Sequence, residues 1–348
     1  MPAVPNFFER LLLSRQPQLT PFLDLWAAGA FQGIELASTS GIFEALKTGL
    51  KAPATIAQEI KADARGVRIL LDLLASFGYV AESRGSYSLT SVSSSLLSDS
   101  SFNMADTFKL YAGLFKFVRE HQEEAIRNGK PAVNVFEWFD EHPEMWKLFH
   151  SFEASIAKSL GDEIVSKIRL PPGPRRLLDV GGGHGLYSIM LCKRYPDLSA
   201  TVFDSPSPIE DAKLNIASEK MASQISVQAG NFFEDDLGSG YDAALLFNIV
   251  HLFPSEANLR LFNRVTSALK PGATVIIFDQ FLGGEFGKVA RVAHTYYSLL
   301  FLTTTGGQLY SFSEISELLS QAGLTITARK PIRAAASHLV FATKRNLH

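Results

Sequence analysis

Leu177-Leu178-Asp179-Val180-Gly181-Gly182-Gly183-His184-Gly185 is the stretch that decides the architecture of this chain. An apolar run ends in an acid and then in three consecutive glycines. After them Leu186-Tyr187-Ser188-Ile189-Met190-Leu191 resumes at helical spacing. That order reads as a strand, a tight turn and a helix start, with no β-carbons where a ligand must approach the backbone. The helix N-terminus adds unpaired N–H groups and a partial positive charge.

The residues at the strand end choose the ligand. A dinucleotide or phosphate loop would read G-x-G-x-x-G, or end in Gly-Lys-Ser/Thr. Here the spacing is D-x-G-G-G-x-G, without a lysine and with an acid at the end of the strand. Asp179 would repel a pyrophosphate, yet it can accept from, or pair with, a cationic amino-acid moiety. The next apolar run, Ala200-Thr201-Val202-Phe203, ends in Asp204, where an acceptor for a ribose diol belongs in a nucleotide-binding α/β sheet. The expected cofactor is S-adenosylmethionine, with Asp179, Gly181, Gly183, Gly185 and Asp204 as candidate contacts. The competing reading gives the glycines a tight turn and nothing more.

Downstream of residue 175, strands alternate with helices, which implies a doubly wound, mostly parallel sheet. Strands are expected near 176–180, 199–203, 224–229, 241–247, 273–278, 324–328 and 337–343, with helices from about 185, 208, 255 and 313. Ligands of such sheets bind beyond the carboxyl ends of the strands. That rule singles out Asp179, Asp204, Asn231, Asn248 to His251 and Asp279.

Upstream, Pro171-Pro172-Gly173-Pro174 marks a domain boundary. Residues 102–168 read as helical and aromatic-rich (Phe136, Trp138, Phe139, Trp146, Phe149 and others); most rings are expected in core, the surplus around a flat, apolar substrate. Residues 53–97 read as helix, turn, helix and hairpin, a winged helix. Its second helix carries only Arg65, Arg68 and Asp72 as charges, thin for gripping phosphates. A folding or dimerisation module is expected there rather than DNA binding. Residues 7–50 read as two or three helices, and Phe22, Leu25, Trp26, Phe31, Ile34 and Leu36 make a segment fit for core or for a subunit interface. The division expected is 1–100 for the helical and winged-helix domain, 101–170 for a helical substrate cap and 171–348 for the catalytic domain.

Composition sets the outer bounds. A chain of 348 residues with 46% hydrophobic and 20% charged residues is a globular protein of more than one domain. A net charge of −2 gives no reason to expect a polyanion partner or a membrane surface. The lone Cys192, at an apolar helical position, is expected to be buried and fits a cytoplasmic location. No signal peptide is read at the N-terminus, and Val292–Leu302 is too short and too polar to span a bilayer. The eight histidines are scattered, no spacing matches a metal site, and no metal is expected.

The C-terminal half resembles the small-molecule O-methyltransferases of the caffeate, hydroxyindole and bacterial polyketide type. The resemblance is carried by Asp179–Gly185, Phe203-Asp204-Ser205-Pro206, Gly230-Asn231-Phe232-Phe233, Asn248-Ile249-Val250-His251, Leu269-Lys270-Pro271-Gly272 and Thr305-Gly306-Gly307. The winged helix stands where that family keeps its dimerisation domain, so the resemblance covers nearly the whole chain. It implies a Rossmann-like catalytic sheet and a homodimer. It also implies that the Gly181–Gly185 loop wraps the cofactor, that Asp204 holds the ribose, and that Asn231 and Phe232 meet the adenine. His251 falls at the family's general base, and Asp279 takes the place of a glutamate that orients it. Met145, Phe149, Glu153, Leu300 and Thr304 are the candidate acceptor contacts. Three departures stand out. The family's His-Asp-Trp is His251-Leu252-Phe253, a second glutamate after the Gly-Gly turn is Leu309, and a methionine beside the methyl-transfer centre is Glu153.

Methyl transfer from a sulfonium to a hydroxyl is an in-line displacement, in which alignment is the main task. A phenol, with a pKa near about 10, is deprotonated sensibly by a neutral imidazole whose other nitrogen a carboxylate holds. His251 with Asp279 supplies that pair if the shorter side chain reaches. Two other readings compete: an enzyme of this fold that catalyses cyclisation or decarboxylation instead, and a DNA-binding regulator.

Overall fold

A computed structural model describes residue 15 and residues 17–97, 104–170, 175–283 and 285–345. The 171–174 boundary and the start of the 7–50 segment lie outside the described residues. The chain forms two compact units that meet in sequence between Phe115 and Lys116.

In the first unit, a short 3₁₀ turn precedes α1 (Thr20–Thr39), followed by α2 (Ile42–Leu46), α3 (Pro53–Glu59), α4 (Ala64–Ser76), β1 (Val80–Ser83), β2 (Ser86–Leu89), α5 (Ser91–Leu97) and the start of α6 (Met104–Asn128). The winged helix is as expected. Asp63 caps α4 by accepting from the Gly66 N–H at 2.8 Å, and Val67, Leu71 and Leu74 face a core with Ile34, Phe43 and Ile56. Arg68 is paired with Asp72 at 2.9 Å, and Asp72 also accepts from the Tyr87 hydroxyl. Helix α1 buries Ala30, Gly33, Ile34 and Ala37, whereas Phe22, Leu25, Trp26 and Leu36 are each about half exposed (49, 62, 57 and 51%). Of the two readings of that segment, core therefore fails for these four side chains.

The second unit continues with α7 (Val135–Glu141), α8 (Pro143–Lys167), β3 (Arg175–Val180), α9 (Leu186–Arg194), β4 (Leu198–Asp204), α10 (Pro206–Ser218), β5 (Ile225–Ala229) and β6 (Tyr241–Phe247). Then come α11 (Ser255–Ala268), β7 (Leu269–Asp279), β8 (Phe281–Leu282), α12 (Gly287–Thr304), β9 (Tyr310–Ser311), α13 (Phe312–Gln321), β10 (Leu324–Ile332) and β11 (Ser337–Lys344). Seven strands form one sheet in the order β10-β11-β7-β6-β3-β4-β5. The five from β7 to β5 are parallel, and β11 and β10 are added antiparallel. Helix α12 falls outside the helices expected from sequence.

Strands buried on both faces read as unbroken apolar runs. Successive side chains serve opposite faces: Leu178, Leu246 and Ile277 join the core under α11 and α13, while Leu177, Leu245 and Ile276 join the core under α8, α9 and α10. Gly161 faces α9 where α8 packs on it: a Cβ there would stand 2.4 Å from the Met190 sulfur, the end of a flexible side chain that would have to shift. Cys192 is buried in the same layer, and burial lifts its thiol to about 12. Because β3 pairs with β4 on one side and β6 on the other, strand order reverses at β3. The crevice for a ligand therefore opens beyond Val180. Among the described residues no helix is long and apolar enough to cross a membrane.

Candidate active site

The turn after β3 has the geometry its glycines demand. Gly181, Gly183 and Gly185 have φ of 69, 51 and 70°, which disfavours side chains. A Cβ at Gly182, in ordinary backbone, would stand 2.7 Å from the Asp179 carboxyl carbon and 2.8 Å from Val202. The turn is thus a bare backbone cradle running into the N-terminus of α9. At its edge Asp204 accepts from the Gly183 N–H at 2.8 Å through Oδ2 and from the Ser205 N–H at 2.7 Å through Oδ1. Burial pushes the Asp204 carboxyl up and these two N–H groups oppose the shift. Each oxygen keeps a lone pair for a further donor.

Asp179 is 2% exposed and accepts from the Ser188 hydroxyl at 2.6 Å. Burial pushes its carboxyl up to about 7; the Ser188 bond works against this and the Asp204 charge adds to it. The carboxyl thus lies under the cradle and within α9's first turns. His184 is neutral, held down to about 4 by burial. Its Nδ1 accepts from the Leu186 N–H at 3.1 Å, and a bond to the Glu153 backbone carbonyl works against the shift. It is therefore a capping residue that ties the turn to α8.

Beyond β5, Asn231 forms a local turn, its Oδ1 accepting from the Phe233 N–H at 2.9 Å. Phe232 is half-buried and edge-on to Phe253, with ring centres 5.9 Å apart. Arg264 anchors the loop by donating to the Phe232 carbonyl at 2.7 Å. One lone pair of the Asn231 amide oxygen remains for a donor such as an adenine amine.

His251 lies in a 3₁₀ turn (Val250–Leu252) after β6, and Asp279 ends the neighbouring β7. The aspartate does reach: His251 Nδ1 stands 2.7 Å from Asp279 Oδ1. The carboxylate also accepts from the backbone N–H groups of His251 (3.2 Å) and Gln280 (2.8 Å). Three N–H donors converging on one buried carboxylate hold the imidazole as the Nδ1–H tautomer, with Nε2 as the basic nitrogen. Phe301, from α12, stacks on the ring at 3.9 Å and 23°. The Gly306-Gly307 turn has a steric cause, since a Cβ at Gly307 would lie 2.1 Å from the His251 carbonyl oxygen.

The candidate acceptor contacts divide. Met145, Phe149 and Glu153 share one face of α8 at spacings of four. Met145 is buried, and Phe149 is engaged with Phe136, Phe139 and Trp146 in an aromatic cluster. Glu153 is half-buried and its Oε2 accepts from Asn248 Nδ2 at 3.2 Å. Leu300 and Thr304 are buried on α12, and the Thr304 hydroxyl donates back to the Leu300 carbonyl. Leu309 is buried, as an apolar side chain should be, and offers His251 no carboxylate. Sequence reasoning missed Phe301, Tyr187, Ser188 and the positioning of Asn248. Phe301 lies in Val292–Leu302, a stretch whose apolar content was legible but whose place against His251 was not.

With this geometry in hand, comparison with known proteins is consistent at every level. Residues 111–325 match the O-methyltransferase domain model and residues 31–99 the O-methyltransferase dimerisation domain model. A 3-hydroxy-5-methyl-1-naphthoate 3-O-methyltransferase of Streptomyces sahachiroi is 30% identical over 84% of this chain and 85% of its own length. A 3-amino-4-hydroxybenzoate 4-O-methyltransferase of Streptomyces cremeus is 28% identical over 90% of this chain and 87% of its own. The solved mitomycin 7-O-methyltransferase MmcR superposes with a TM-score of 0.86 over 96% of this chain and 99% of its own; at 21% identity that likeness speaks for the fold alone. The chain belongs to the S-adenosylmethionine-dependent O-methyltransferase family.

Proposed function

We propose that the protein methylates a hydroxyl of an aromatic or polyketide-like small molecule, with His251 as general base and Asp279 as its orienting carboxylate. The observation that carries this reading is the 2.7 Å contact between His251 Nδ1 and Asp279 Oδ1 at the carboxyl end of the sheet. S-adenosylmethionine supplies an electrophilic methyl group on a sulfonium and its own leaving group. The residues that would hold it are the Gly181–Gly185 cradle, Asp179, Asp204, Asn231 and Phe232. A bare backbone turn beside a carboxylate with spare lone pairs fits such a ligand.

The chemistry left to the chain is alignment and one proton. His251 Nε2 takes the acceptor's hydroxyl proton as that oxygen forms its bond to the methyl carbon, and the proton leaves on the imidazole. Asp279 balances the imidazolium so formed, and Phe301 limits its rotation. Met145, Phe149, Glu153, Leu300 and Thr304 belong to the acceptor side in this reading.

The dimerisation-domain match and the exposed Phe22, Leu25, Trp26 and Leu36 support a homodimer formed through the N-terminal helices. The functional division 1–100, 101–170 and 171–348, and a cytoplasmic location supported by the single buried cysteine, are parts of the same proposal. The decisive experiment incubates the enzyme with methyl-labelled S-adenosylmethionine and a panel of phenols and naphthols. Label should enter an ether with wild-type protein and fall at least about ten-fold with His251→Ala. Equal rates in the two proteins would remove the base from His251.

A further inference from the structure

One polar group beside His251 has no task in the proton transfer. Glu153 reaches the carboxyl end of the sheet from α8. Its known hydrogen bond comes from Asn248 Nδ2, and Asn248 is itself held at a φ of 51° directly after β6. A carboxylate offers about four acceptor positions, and one amide N–H fills one of them. Tyr187 approaches from α9. It is 6% exposed, packs edge-on against Phe247, and its hydroxyl has no hydrogen-bond partner among the described residues. Burial, with the nearby charges of Glu153 and Asp179, raises that phenol, so it stays a neutral O–H. A buried hydroxyl without a partner is costly unless a ligand completes it.

The charge balance narrows the ligand. Among the described residues, the groups that act on the Glu153 carboxyl are His251, Asn248 and Asp279, none of them a lysine or arginine. Burial raises its carboxyl and Asp279 adds to this, while His251 and the Asn248 bond oppose it. An acceptor bearing a carboxylate would bring a further negative charge against Glu153 and Asp279. A neutral, purely apolar ring would leave the Glu153 lone pairs and the Tyr187 oxygen unmatched. An ammonium or amine satisfies both, having N–H donors for two oxygens and the opposite charge.

We propose that the acceptor is a hydroxyarene carrying a basic amino group, and that Glu153, set by Asn248 and assisted by the Tyr187 hydroxyl, is the subsite that receives it. This deepens the methyltransfer reading and rests on it. The probes are the three positional isomers of hydroxybenzylamine, the matching hydroxybenzyl alcohols and the matching hydroxybenzoates. Binding of each to the full-length protein saturated with S-adenosylhomocysteine is measured by calorimetry, and methylation with S-adenosylmethionine is followed in parallel. At least one amine should bind about ten-fold or more tightly than its alcohol, the size of one charge-assisted hydrogen bond, and its benzoate should bind weakest. Glu153→Gln should erase the preference for the amine. Tyr187→Phe should reduce it several-fold, and both variants should keep wild-type affinity for S-adenosylhomocysteine.

No amine preference in any isomer, or a preference that survives Glu153→Gln, overturns the subsite. So does a matching loss of S-adenosylhomocysteine affinity in Glu153→Gln, which would put the carboxylate on the cofactor side. A Glu153-dependent amine that binds but is not methylated leaves the subsite standing and counts against hydroxyl methylation. Methylation of alcohols and amines alike does the reverse.

Discussion

Replacing Asp279 by asparagine tests the core of the acid–base reading, because the change is nearly isosteric and its consequences can be counted. The carboxylate accepts from His251 Nδ1 and the Gln280 N–H through Oδ1, and from the His251 N–H through Oδ2. An amide retains one acceptor oxygen. Kept at the Oδ1 position, it preserves two of the three bonds and turns its NH₂ toward the His251 N–H, 3.2 Å from the present oxygen. A donor then faces a donor in a site 2% exposed, which costs about 1–3 kcal/mol of stability. The imidazolium formed in the reaction also loses its charged partner, an interaction of about 1.5–3 kcal/mol, so kcat should fall about 10- to 100-fold. Single-turnover and steady-state rates with labelled S-adenosylmethionine measure this, with calorimetric affinity for S-adenosylhomocysteine as the control for folding. If Asp279→Asn keeps kcat within about two-fold of wild type at unchanged cofactor affinity, the pair does not carry the proton.

Asp204→Ala should weaken S-adenosylhomocysteine binding about ten-fold or more, since it removes charge-assisted bonds; unchanged affinity by calorimetry would contradict the ribose assignment. Asp179 has a folded pKa of about 7, above its ordinary 3.8, so the folded state holds the proton more readily than the unfolded one. Its contribution to stability is full below the unfolded value and is lost as pH rises through about 7. Asp179→Asn should therefore gain in melting temperature relative to wild type between about pH 5 and about pH 7.5, and an invariant difference by scanning calorimetry would refute the burial argument. Cys192, buried and lifted to about 12, should resist iodoacetamide in the native protein at about pH 8 and react once the protein is unfolded in guanidinium. Rapid native labelling would show the α8–α9 layer to be open.

Much of this protein is legible in its sequence, and for local reasons. Asp179 through Gly185 can only be a strand running into a glycine turn and a helix, because side-chain periodicity and the φ values that glycine alone takes easily are properties of adjacent residues. The apolar run Ala243–Phe247 likewise announces a strand buried on both faces, and acids at strand ends announce the ligand side of the sheet. What the tertiary structure decided is whatever depends on reach between distant segments. The shorter Asp279 meets His251 because β6 and β7 are adjacent and parallel, a fact of strand order that no spacing contains. Phe301 covers the imidazole because the Gly306-Gly307 turn lets the chain pass against the 251–253 backbone. The rotation of Glu153 toward Asn248 rather than water was open in the sequence, where one residue on a helix is about 100° of turn. The packing of α8, the helix carrying Glu153, on α9 brings Gly161 against Met190, 29 positions away in the chain. Residues near in sequence set backbone conformation, while long-range packing sets which side chains share a site.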